Sequence, residues 1–114
     1  MSALVVGAGG TLGRACVEEL VKSHTEVYAA DLHSPDIVSA KSLVVDVSDL
    51  ASVERVIAEI EKSSPITSLI YAAGVNFTGP VDKTDWEQYQ KLMQVNLQGA
   101  FHFGAAIEAS LRLK

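Results

Sequence analysis

The sequence predicts an α/β fold: a doubly wound parallel sheet with helices on both faces. Short apolar runs alternate with longer stretches of helical periodicity, in the order β-α-β-β-α-β-α. Four glycines crowd positions 7 to 13, directly after the first apolar run. Of the 114 residues, 48% are hydrophobic, enough to fill the core of one domain. Strands separated by helices imply parallel pairing with right-handed crossovers.

Residues 2–6, with ALVV at 3–6, read as a buried parallel strand that ends in glycine. The stretch 11–23 is helical. It gathers Leu12, Ala15, Cys16 and Leu20 on one face and Arg14, Glu18 and Lys22 on another, with Glu18 four residues before Lys22 in the favourable order. EVYAAD (26–31) is a second strand that closes on an acid, and residues 32–41 are too short and polar for a full helix. SLVVDV (42–47) is a third strand. Ser48 is the expected N-cap of a helix over 49–63, whose Leu50, Val53, Val56, Ile57 and Ile60 form an apolar stripe; Pro65 blocks its continuation. SLIYAAG (68–74) is a fourth buried strand, followed by a loop over 75–83. Thr84 and Glu87 have capping-box spacing and open a long helix running from Trp86 toward Lys114. The expectation is a single domain over 1–114, truncated after the fourth strand and the long helix that follows it.

Charge and composition exclude several classes. A net charge of −5 with only 9 Lys and Arg argues against nucleic-acid or anionic-membrane partners. The single cysteine, Cys16, allows no intrachain disulfide and suits a reducing, cytoplasmic compartment. No apolar run approaches the ~18–20 residues of a membrane span, and the opening MSALVVGAGG lacks the basic n-region of a signal peptide. The three histidines have no metal-ligand spacing, so no metal site is expected. His24 suits a helix C-terminus. His33 is read as a surface residue, with a contact to an adenosine ribose as its alternative, and His102 as a surface or interface residue. Cys16 reads as a small core residue. Arg14 reads as part of a solvated helix face, and Trp86 as an anchor for the 75–83 loop.

In this architecture ligands sit outside the carboxyl ends of the strands, where the strand order reverses. Gly7 would take the turn, Gly9 or Gly10 would let the backbone approach a pyrophosphate, and Gly13 would let helix and strand pack closely. The N–H groups of Gly10, Thr11 and Leu12 would then face the phosphates from a helix N-terminus. Asp31, roughly 20 residues downstream, is suited to the ribose hydroxyls of NAD and would repel the 2′-phosphate of NADP. The glycines alone would equally serve a tight turn with no ligand, and Asp31 could instead cap the HSPD loop.

In order and spacing these features resemble the N-terminal half of a short-chain dehydrogenase/reductase, a family with a Rossmann fold. Gly7, Gly10 and Gly13 match the Gly-x-x-Gly-x-x-Gly of its extended and atypical branches; the commoner branch has its middle glycine one place later, at Thr11 here. Asp31 is similar to the end-of-strand acid of NAD-preferring members. VVDVSD (44–49) resembles the Asp-Val element, which implies Asp46 at the adenine amino group and the Val47 backbone along the ring. YAAG (71–74) is similar to the Asn-Asn-Ala-Gly segment, departing at Tyr71 and Ala72 but keeping Ala73 and Gly74 where the cofactor passes the backbone. VNLQGAFHFGAA (95–106) resembles the long helix whose Asn, here Asn96, sits at a kink and positions a water in a proton relay.

The resemblance covers essentially all 114 residues. It implies NAD as cofactor, hydride exchange with a small alcohol or carbonyl substrate, and Asn96 as the one catalytic-site residue present. The family's Tyr-x-x-x-Lys pair is missing: Tyr28, Tyr71 and Tyr89 are followed at that spacing by Leu32, Val75 and Met93. The chain is therefore expected not to turn over alone. Two other readings stand beside this one: a non-catalytic dinucleotide-binding or redox-sensing module working through a partner, and an epimerase or dehydratase of the extended branch. In the family the equivalent of helix 85–113 packs between subunits. Here Gly99, Ala100, Gly104, Ala105 and Ala106 permit close approach, and Phe101, Phe103, Ile107 and Leu111 supply apolar area. The chain is expected to form a homo-oligomer through that helix.

Overall fold

The computed structural model describes residues 2–23, 26–76 and 78–112, with Leu111 and Arg112 as backbone only, so the apolar area expected of Leu111 lies outside it. His24, expected at a helix C-terminus, lies outside the described residues. Strands β1 (Ser2–Val6), β2 (Glu26–Asp31), β3 (Lys41–Val44) and β4 (Ile66–Tyr71) form one sheet in the order β3-β2-β1-β4, and every pairing is parallel. β1 is central and buried along its whole length. Side chains of a strand alternate between faces, and the two core layers follow that alternation. Leu4 and Val6 join Tyr28 and Ala30 on one face; Val5 joins Val27 and Ala29 on the other.

Helix α2 (Leu50–Glu61) closes the first layer with Val53, Val56, Ile57 and Ile60, assisted by Phe103 of the C-terminal helix. Helix α1 (Thr11–Leu20) closes the second with Val17. The sheet is thus wound on both faces. The chain moves from β1 to β2 and β3 on one side, then crosses to β4 on the other. The strand order reverses between β1 and β4, and their carboxyl ends open a crevice there.

The structure corrects several local expectations. The buried face of α1 is Gly13 and Val17 with Cys16 and Leu20 half-buried, and Leu12 is 69% exposed. Close contact of Gly13 with the turn before it fixes the rotation of the helix. α1 ends at Leu20, so Lys22 pairs across its exposed end with Glu19 at 3.0 Å rather than with Glu18. Asp49, not Ser48, caps α2: its carboxylate accepts the Ala51 N–H at 3.1 Å. Ser48 instead donates its hydroxyl to Asp46 at 2.6 Å. Likewise Asp85, not Thr84, caps α3 (Trp86–Met93), and Gln88 completes its capping box.

The strand ends move for a common reason: ladders stop where a partner stops. β4 begins at Ile66 opposite Ser2, and the N–H of Ala72 makes a last bond to Val6 at 2.7 Å. β3 ends at Val44, and the Val45 N–H reaches Asp31 at 2.9 Å before the chain turns away. Trp86 does not anchor the 75–83 loop. As the first residue of α3 it is 67% exposed and stacks on Tyr89 with ring centroids 5.1 Å apart. The single long helix is also divided. α3 passes into a π turn over Gln94–Gln98, and α4 (Gly99–Arg112) follows. Phe103 is fully buried in the core, so it supplies nothing to a partner, whereas Phe101 is 62% exposed.

Candidate dinucleotide-binding site

The glycine turn is built by two steric necessities. Gly7 has φ +85°, a conformation that side chains disfavour. A Cβ there would lie 2.6 Å from the carbonyl carbon of Ala72, in the segment after β4. A Cβ on Gly13 would lie 2.7 Å from the Gly7 carbonyl carbon and 2.8 Å from the Ala8 Cα. Gly10 is different in kind. Its nearest obstacle is the Gly7 oxygen at 3.6 Å, an ordinary contact, and it is the N-cap of α1 without any side-chain cap. The Gly10 N–H donates to Gly7 at 3.2 Å, so it is not aimed outward as expected. The N–H groups of Thr11 and Leu12 lie in the first turn, where no helical carbonyl reaches them, at the positive end of the helix dipole.

Asp31 closes the other side of this turn. Its Oδ2 accepts the Gly9 N–H at 2.8 Å and its Oδ1 accepts the Leu32 N–H at 2.7 Å. Arg14 lies on an exposed face of α1, as expected, and its guanidinium also donates to the Pro35 carbonyl at 3.3 Å, tying α1 to the loop after β2. Asp46 accepts the Ser48 N–H at 3.0 Å and donates its own N–H to Ser52 at 3.0 Å. Val47 packs half-buried at the edge of the core.

These segments frame one cleft of about 270 Å³ at the carboxyl ends of the strands. Of the expected residues, Gly7, Gly10, Asp31, Asp46, Val47, Ala73 and Gly74 line it. Gly9 and Thr11 lie in a shallower groove beside Arg14 and Glu18. Gly13 is buried beneath the turn, and Leu12 points away into solvent. Leu32, Val75, Lys91 and Val95 also line the cleft and were missed by sequence reasoning. Their signals were positional: Leu32 follows Asp31 directly, and Lys91 and Val95 stand one helical turn apart just before Asn96.

Asn96 sits within the π turn, one residue after Val95. Both ends of its carboxamide bond one residue of the loop after β4: Oδ1 accepts the Val75 N–H at 2.8 Å, and Nδ2 donates to the Val75 carbonyl at 2.9 Å. From beneath the same turn, the Tyr71 hydroxyl donates to the Val95 carbonyl. Burial pushes the Tyr71 phenol up to about 12. Among the described residues no group of three or more His, Cys, Asp and Glu could hold a metal, and no helix is long and apolar enough to cross a membrane.

Comparison with known proteins gives a consistent result. The chain is 32% identical over 114 residues to a tropinone reductase homolog of Arabidopsis thaliana, covering 89% of this chain and 43% of that one. It is 30% identical over 108 residues to an NAD-dependent glycerol dehydrogenase of Listeria innocua, covering 87% and 42%. The ligand-free aldohexose dehydrogenase of Thermoplasma acidophilum superposes with a TM-score of 0.89 at 23% identity, over 95% of this chain and 43% of that one, a likeness of fold. The chain therefore spans less than half the length of these relatives. The family model for short chain dehydrogenases matches residues 1–112, and with the parallel sheet already described it establishes that the chain belongs to the short-chain dehydrogenase family.

Proposed function

We propose that this chain is the dinucleotide-binding portion of an NAD(H)-dependent oxidoreductase acting on an alcohol or carbonyl substrate. The observation that carries the reading is that Gly10, the cap of α1, and the Asp31 carboxylate line the same cleft, with Thr11 in the groove beside it. Thr11 and Leu12 offer N–H groups to a diphosphate. Asp31 accepts hydrogen bonds from a ribose diol and repels a 2′-phosphate, which favours NAD over NADP. Gly7, Gly10, Ala73 and Gly74 keep the cleft clear of long side chains, so the residues present fit the cofactor. Leu32, Asp46, Val47 and Val95 form the adenine side. When bound, the nicotinamide supplies or accepts hydride; the chain itself binds and orients. Asn96 is the one residue here assigned to the catalytic site, and the remaining acid–base groups come from outside these 114 residues.

The same cleft would equally serve a second reading, a non-catalytic dinucleotide module acting through a partner. Both readings place the protein in the cytoplasm. They also take Trp86, Tyr89, Met93, Leu97 and Phe101, all exposed, as a stripe for self-association. The test is an equilibrium titration of the chain with NADH and NADPH, followed by nicotinamide fluorescence. NADH should bind at least tenfold more tightly. Asp31→Ser should weaken NADH about tenfold, as loss of hydrogen bonds to a charged group implies, and narrow the difference. Equal binding of the two, or no saturable binding of either, overturns the reading.

A further inference from the structure

The YAAG segment departs from the family pattern at Tyr71, and the structure gives that departure a use. The Tyr71 ring leaves the end of β4 and rests on Phe103, with centroids 6.0 Å apart. Its hydroxyl continues past the backbone of Gly99 to the Val95 carbonyl inside the π turn. Backbone conformation does not call for glycine at Gly99: it has ordinary helical dihedrals in a position where glycine weakens a helix by roughly 0.5–1 kcal/mol relative to alanine. A Cβ there would meet the Tyr71 hydroxyl first, then the ring carbon Cζ at 3.1 Å and Val47 Cβ at 3.1 Å. Gly99 is the slot through which the hydroxyl passes.

The π turn is therefore clamped twice, at adjacent residues. Val95 is held from beneath by Tyr71, and Asn96 is held from the cleft side by Val75. The two anchors stand four residues apart, Tyr71 at the end of β4 and Val75 in the loop that follows, so strand, loop and turn are held together. We infer that Tyr71 is a positioning residue: its hydroxyl fixes the π turn and thereby sets Asn96 against Val75 at the rim of the cleft. The inference rests on the proposed function only in the importance it gives Asn96; the clamp itself is a property of the chain without cofactor.

Amide hydrogen exchange by NMR on the whole chain, without dinucleotide, tests it. The readout is the Val75 N–H relative to Leu4 and Val5 of β1, together with the Asn96 side-chain amide resonances. Tyr71→Phe keeps the ring on Phe103 and removes only the hydroxyl. It should accelerate Val75 exchange at least tenfold beyond any change at β1, approaching Asn96→Ala, and shift the Asn96 amide pair. Gly99→Ala, which keeps the tyrosine but puts a Cβ where its hydroxyl passes, should do the same, and it supplies the answer if Tyr71→Phe does not fold. The double variant should add nothing further. If Val75 moves only in step with β1 in every variant that folds, Tyr71 is a packing residue and the inference falls. NADH titration of the same samples keeps the two questions apart. Loss of NADH binding with the coupling intact sinks the proposed function alone, and binding without coupling sinks the clamp alone.

Discussion

Substituting alanine for glycine raises helix propensity by up to about 1 kcal/mol, so Gly13→Ala and Gly104→Ala should look alike if local preference governs. The structure says they differ in sign. At Gly13 the new Cβ meets backbone at 2.7 and 2.8 Å, on Gly7 and Ala8. Backbone cannot swing aside as a flexible side chain would. Overpacking of this kind costs about 1–3 kcal/mol, and two backbone contacts put Gly13 at the upper end. Less the propensity gain, Gly13→Ala should destabilise by about 2 kcal/mol. At Gly104 nothing lies within 4 Å, and the same substitution should stabilise by up to about 1 kcal/mol. At about 4 °C per kcal/mol for a chain of this size, the two variants should melt roughly 12 °C apart, with the wild type between them. Thermal unfolding followed by circular dichroism measures this directly. If Gly13→Ala melts at or above the wild type, the close packing of α1 on the glycine turn is wrong.

Asp49→Ala removes the cap of α2 and should lower stability by about 1 kcal/mol, whereas Ser48→Ala should change it by only a few tenths in urea unfolding. Tyr71 keeps its proton in the fold to about pH 12 but loses it near 10.0 when unfolded. Unfolding therefore releases a proton in that window, and stability should fall between pH 10 and 12 more steeply in the wild type than in Tyr71→Phe, with no difference in slope below 10. The exposed stripe ending at Phe101 should make the chain a dimer or larger species by light scattering, and Phe101→Glu should shift it toward monomer; a clean monomer mass for the wild type refutes the stripe as an interface.

The sheet was legible because its signals are local. ALVV followed by Gly7 and EVYAAD closing on an acid each state a buried strand and its end, whereas SLIYAAG located the fourth strand but not its end at Tyr71 or its half-buried state. The glycine spacing located the turn, and the structure gathers Gly7, Gly10, Asp31, Asp46, Val47, Ala73 and Gly74 at one cleft. What escaped sequence reading depends on contacts across the fold. Leu12 looked apolar enough to be buried, but Gly13 governs the rotation of α1 by its approach to Gly7. Ser48 and Asp49 are both good caps, and Asp46 decides between them by taking Ser48 for itself. The π turn leaves no mark in hydrophobic periodicity, since its register is set by Tyr71 and Val75, more than 20 residues upstream.

The bond between Asp31 and the Gly9 N–H makes one carboxylate answer to two demands. Under the proposed function it would discriminate at the cleft, and it also staples the glycine turn to the end of the neighbouring strand. An engineer who exchanges Asp31 for a neutral residue to admit a phosphorylated ribose thereby also unfastens the loop. On that reading specificity and loop rigidity fall to the same carboxylate, so a successful exchange of preference in this chain calls for a second substitution that re-anchors Gly9 from elsewhere.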